Sequence, residues 1–96
     1  MKRLTETELA ELLAKLPEWH LAQAMLVREL RFPDFLEAIA FVNRIAALAE
    51  QQNHHPDIDI RYNNVRLALS THDANGITQR DAKFATHVDT LTGPKR

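Results

Sequence analysis

The sequence predicts an α+β fold in which a four-stranded antiparallel sheet is covered on one face by three helices, in the order α-β-β-α-β-β-α. Three observations carry this expectation. Apolar residues recur at helical spacing in three separate stretches, near the start, the middle and the end of the chain. Between the second and third of these, DIDIRY and VRLALS set apolar residues at every second position, the period of half-buried strands. Strands that arrive in pairs, with helices between the pairs, favour hairpins and a sheet that buries one face.

Thr5 and Glu8 have the spacing of a capping box, and Leu9, Leu12, Leu13 and Leu16 follow at helical intervals until Pro17. The first helix is therefore expected over 5–15. From Trp19 to Phe32 no comparable stripe appears. Leu26, Leu30 and Phe32 share one parity into which Arg28 intrudes, which reads as two short strands, and Trp19, the only tryptophan, is expected in the core. Pro33 suits the first position of a second helix running to about Gln52. Its inward face is read as Phe35, Leu36, Ile39, Val42, Ile45, Ala46 and Ala49, leaving Phe41 and Leu48 on another side, where a second subunit could cover them.

In the third strand Ile58, Ile60 and Tyr62 are expected inward, with Asp57, Asp59 and Arg61 outward. Asn63-Asn64 is the expected turn, because asparagine tolerates left-handed backbone. Val65, Leu67, Leu69 and Thr71 then line one face of the fourth strand. After a loop containing Gly76, Thr78 and Asp81 are spaced to start a third helix with Phe84, Ala85, Val88 and Leu91 inward. Residues 92–96, TGPKR, are expected to be a frayed tail on a single domain spanning 1–96.

Composition narrows the function. Twelve Lys and Arg against 13 Asp and Glu leave a net charge of -1, so direct nucleic-acid or anionic-membrane binding is not expected. The absence of cysteine excludes disulfides, thiolate nucleophiles and thiolate metal sites. Glu37, Asn43 and Arg44 interrupt the most apolar stretch, so no bilayer span is expected, and acidic residues near the start break any signal-peptide pattern, which points to the cytoplasm.

Histidine is the side chain suited to proton transfer near neutrality, and the chain has five. His54 and His55 lie between the second helix and the third strand, and His72 follows the fourth strand. If those strands form a hairpin, its open end brings the three imidazoles to one edge of the sheet. His20 and His87 lack such company and are read as surface residues. Three imidazoles and a water could hold zinc, but adjacent residues of an extended chain point to opposite faces, so a metal is not expected. Ser70 and Thr71 lack a nucleophile elbow. Asp81 is either a helix-capping residue or a carboxylate orienting the His72 imidazole. Glu50 is a surface charge or a pocket carboxylate, and Arg80 pairs with one of the two or faces water.

The strings EQQNHHP at 50–56, YNNV at 62–65 and LSTHxxxGITxxD at 69–81 resemble the pterin-4a-carbinolamine dehydratase family. The likeness is close from Glu50 to Ala85 and extends more loosely over nearly the whole chain, with departures at Gln51, Gln52 and Ile58. The resemblance implies an enzyme that dehydrates 4a-hydroxytetrahydrobiopterin to the quinonoid dihydropterin, recycling tetrahydrobiopterin without metal or cofactor. It implies His54, His55 and His72 as catalytic residues, and Glu50, Pro56, Thr71, Arg80 and Asp81 as substrate-binding or supporting ones. It further implies a homodimer or homotetramer. An alternative function comes with it, since mammalian relatives act as a dimerisation cofactor of a homeodomain transcription factor. The chemistry suits the residues: an ordinary imidazole is roughly one-quarter protonated at pH 7, so acid and base forms are both at hand.

Overall fold

The computed structural model describes residues 2–92. Its elements follow the expected order: α1 (Glu6–Lys15), β1 (His20–Ala22), β2 (Met25–Arg31), α2 (Phe35–Gln52), β3 (Asp57–Arg61), β4 (Asn64–Leu69) and α3 (Gln79–Thr92), with a short 3-10 turn, His72–Ala74, before α3. Thr5 and Glu8 form the capping box that starts α1. Thr92, expected in the tail, is still helical, and its hydroxyl donates to the Asp89 carbonyl at 2.9 Å. Residues 93–96 of that tail lie outside the described residues.

All strand pairs are antiparallel, in the order β1-β2-β4-β3. Leu26 lies opposite Leu69, Arg28 opposite Leu67 and Leu30 opposite Val65, so these side chains share a face. On that face Leu26, Val65, Leu67 and Leu69 are buried in one cluster with Phe41 and Ile45 of α2 and Phe84 and Val88 of α3. Each such side chain contributes roughly 1.5–3 kcal/mol on burial, which makes this layer the main source of stability. Trp19 is buried in the same cluster, as expected.

Arg28 breaks the apolar parity yet is only 6% exposed. Its guanidinium donates to Asp89 Oδ1 of α3 at 2.5 Å, and the same oxygen accepts the Trp19 indole N–H at 2.9 Å. The pair thus ties sheet to helix, and losing one partner strands the other. Asp89→Ala is expected to cost about 2 kcal/mol, lowering the thermal midpoint by roughly 8–16 °C, as circular dichroism melting would read.

Five details differ from the sequence reading. First, Pro33 precedes α2, whose N-cap is Asp34, with its carboxylate accepting from the Glu37 N–H at 2.9 Å. Second, the buried stripe of α2 is Ala38, Phe41, Ile45 and Ala49, while Phe35 and Leu36 are exposed. Apolar residues crowd several sides of this helix, and the packing of Phe41 on Phe32, ring centres 5.1 Å apart, sets its phase. Third, Ile58 and Ile60 do share the core face, opposite Leu67 and Val65, but stay 36% and 38% exposed because β3 is an edge strand. Fourth, Arg61 pairs with Asn64, so the turn is Tyr62-Asn63, with Tyr62 at φ 54 and exposed. Asn63 is used otherwise: its amide donates to the Phe32 carbonyl at 2.7 Å. Leu91, read as inward on α3, is also exposed. Among the described residues no helix is long and apolar enough to cross a membrane.

Candidate active site

Two chain reversals build the site. At the end of α2, Asn53 adopts left-handed backbone, φ 51, and its N–H closes on the Ala49 and Glu50 carbonyls. Asparagine tolerates this conformation, which ends the helix and sends His54 and His55 toward the sheet edge. Beyond β4, the Thr71 N–H donates to the Gly76 carbonyl at 2.8 Å, closing the turn that His72 opens. Because β3 pairs with β4, the segment before β3 meets the segment after β4. A cavity of about 250 Å³ is lined there by Asn53, His54, His55, Ser70, Thr71, His72, Asp73 and Arg80. The three imidazoles lie in one cleft.

Their settings differ. His54 is buried, and its Nε2 lies 2.5 Å from Oδ1 of Asp81, which has no exposure at all. Oδ2 of the same carboxylate accepts the Thr71 hydroxyl and the Thr78 N–H, each at 2.9 Å. The Thr71 and Thr78 hydroxyls are 2.6 Å apart, and Thr78 also accepts the Arg80 N–H at 3.2 Å. A carboxylate oxygen accepts only, so His54 Nε2 carries a hydrogen, and in the neutral form of the ring Nδ1 is the acceptor. An edge contact with Phe84, centroids 6.2 Å apart, further holds the ring.

His55 is more than half exposed, with Nε2 2.6 Å from Glu50 Oε2, itself exposed. Such a pair steers a ring while adding little stability. His72 is exposed, and its ring has no hydrogen-bonding partner among the described residues. One imidazole is therefore locked and two are open to solvent and to a ligand.

The other sequence candidates fall as follows. Asp81 receives the Thr78 N–H, half of the expected capping box, and holds His54; the reading that paired it with His72 is corrected. Glu50 is outside the cavity lining and reaches the cleft through His55. Arg80 forms part of the wall, but its guanidinium donates to the Asn53 carbonyl at 2.5 Å rather than to either carboxylate. Pro56 is half-buried next to His55 and outside the lining. His20 is exposed on β1, whereas His87, read as a surface residue, is half-buried with its Nδ1 against the Gln52 amide. Asn53, Ser70 and Asp73 were not among the sequence candidates. An asparagine directly after a long helix was a usable signal for the first; the other two are marked only by adjacency to Thr71 and His72.

The sequence model for pterin 4 alpha carbinolamine dehydratase matches residues 2–91. A protein of Chloroflexus aurantiacus named "Putative pterin-4-alpha-carbinolamine dehydratase" is 54% identical over 93 residues, covering 97% of this chain and all of that protein. Among solved structures, a transcriptional coactivator/pterin dehydratase from Brucella melitensis superposes with a TM-score of 0.91 at 36% identity, over 96% of this chain and all of that one. A pterin dehydratase-like protein described as a RuBisCO assembly factor in the alpha-carboxysome is more distant, with a TM-score of 0.68 at 26% identity, over 81% of this chain and 93% of that one.

Proposed function

Since the chain belongs to the pterin-4a-carbinolamine dehydratase family, we propose that it eliminates water from a 4a-hydroxytetrahydropterin by histidine acid-base catalysis. The single observation behind this is the meeting of His54, His55 and His72 in one cleft. The reaction breaks the C4a–O and N5–H bonds, forms a C4a=N5 double bond and releases water. A proton must reach the poor hydroxyl leaving group while another leaves N5, which one protonated and one neutral imidazole accomplish. His55 and His72, open to the cleft, exchange these protons at the 4a face, and His54 is the fixed polar wall against which the ring system is oriented. Asp81 and Glu50 position His54 and His55 respectively. Arg80 supplies donors to the cleft, Thr71 holds the Asp81 carboxylate, and Pro56 keeps the His55 backbone extended.

General acid-base assistance is worth about 10²–10⁴-fold, or roughly 3–5 kcal/mol of barrier. That suffices for a carbinolamine, which already loses water unaided. Stopped-flow ultraviolet absorbance, following decay of freshly generated 4a-hydroxytetrahydropterin with and without the protein, is the direct test. Acceleration that persists in excess chelator is the expected result; decay at the uncatalysed rate would overturn the reading.

The same proposal includes self-association through β3. Edge strands expose unpaired N–H and C=O groups, and here the edge also carries Ile58 and Ile60 on one face and Asp57, Asp59 and Arg61 on the other. A second copy pairing antiparallel about Ile60 sets Asp59 against Arg61 twice and Ile60 against itself. Centring on Asp59 would instead oppose two aspartates, which is unfavourable. Ile60→Lys places like charges at the two-fold axis, and light scattering is expected to show a shift toward the 11.0 kDa monomer. A wild type that is already monomeric at micromolar concentration would count against the pairing.

A further inference from the structure

A second, larger cavity of about 640 Å³ lies between the end of α2 and the outer side of α3, sharing His54 and Arg80 with the histidine cleft. Its charged lining, Arg80 and Lys83, is of one sign. Arg80, Lys83 and His87 occur at i, i+3 and i+7 of α3, so they stand on one helix face, and no carboxylate lines the cavity. Gln51 and Gln52 supply amides from α2, while Leu91 adds apolar surface. Arg80 spends one N–H on the Asn53 carbonyl, which leaves further donors of its guanidinium without a protein partner among the described residues. Lys83 is exposed and has no ion-pair partner among them.

Resting on the dehydratase reading, we propose that this groove is the subsite for the substrate's side chain, and that it selects pterins whose side chain carries an anionic group such as a phosphate ester. A ring system seated against His54 has Arg80 at the boundary between the two cavities, so a substituent leaving the cleft on that side enters a groove of cationic donors. A neutral hydroxyl could accept hydrogen bonds from Arg80, Lys83 or the amides but would gain no charge-charge attraction. An anionic group gains charge-assisted hydrogen bonds from Arg80 and attraction from Lys83, with no acidic neighbour to oppose it. The helix dipoles do not decide the matter: the first turn of α3 lies near Arg80, whereas its last turn, with Thr90 and Leu91, and the carbonyls ending α2 also border the groove.

The test compares two stable ligands that differ in one group: a 7,8-dihydropterin with a 6-hydroxymethyl substituent, and the phosphate ester of the same compound. Isothermal calorimetry on the wild type and on Lys83→Glu gives both affinities, and dehydration is assayed in parallel. The ester is expected to bind about tenfold or more tightly than the alcohol, with the gap narrowing as salt rises from about 0.05 M to about 0.5 M. Lys83→Glu is expected to abolish or reverse the ratio of the two affinities. Equal wild-type affinities, or a preference untouched by Lys83→Glu, would overturn the subsite while leaving the dehydratase reading intact. If neither pterin binds, the subsite falls, and the parallel dehydration assay decides the dehydratase reading by itself.

Discussion

His55→Ala and His72→Ala are each expected to slow dehydration at neutral pH by about 10²- to 10³-fold, with the thermal midpoint held within roughly 2 °C of wild type. The second half of that expectation follows from exposure. Neither ring belongs to the core, and among the described residues the one hydrogen bond that either ring makes is the solvent-exposed pairing of His55 with Glu50, which contributes little to folding. Loss of rate without loss of stability is the signature of a group that handles the reacting protons. Stopped-flow decay curves read the rate, and variants that turn over like wild type would remove these two side chains from the chemistry. A wild type that binds protein partners but leaves the carbinolamine untouched would favour the interaction-module alternative.

How much of this was legible beforehand depends on the kind of signal involved. The capping box at Thr5 and Glu8, the alternation in β4 and the helical stripe of α3 from Phe84 to Val88 are local patterns, and they appear where read. The cleft was legible too, because a hairpin's topology dictates which segments meet at its open end. What could not be read depends on tertiary neighbours. Arg28 looked like an error in a strand until Asp89, 61 residues away, supplied its partner. The turn joining β1 to β2 uses Gln23 and Ala24, both at positive φ, with no Gly or Asn to announce it. Ile58 and Ile60 have the pattern of buried residues, but alternation reports which side of a sheet a residue faces and not whether a helix covers that part of the sheet. Asp81 illustrates the same limit: its spacing from Thr78 announced a helix start, and only the fold could reveal that His54, 27 residues earlier, is its main partner.

That carboxylate supports the second large prediction, which separates fold from chemistry at one position. Asp81→Ala removes the acceptor for His54, Thr71 and Thr78 at once, at a side chain with no solvent exposure. Breaking a buried, fully engaged charge of this kind costs about 3–5 kcal/mol, against a total stability on the order of 5–15 kcal/mol, so the thermal midpoint should fall by roughly 15–30 °C. Activity lost in that variant would say nothing specific. Asp81→Asn is the sharper experiment. Its amide oxygen can still accept from Thr71 and Thr78, so the cost should fall to about 1–2 kcal/mol. The amide NH₂ then faces His54 Nε2, which must become an acceptor, and the ring hydrogen moves to Nδ1. The substitution therefore swaps the tautomer while sparing the fold. In hydrolase triads the equivalent swap costs about 10⁴-fold; for a residue that orients substrate while others move the protons, about 10²-fold is expected here. Ring nitrogen chemical shifts by NMR report the tautomer directly. A flipped His54 in a stable variant that still turns over at the wild-type rate would show that the Asp81–His54 pair serves the fold alone.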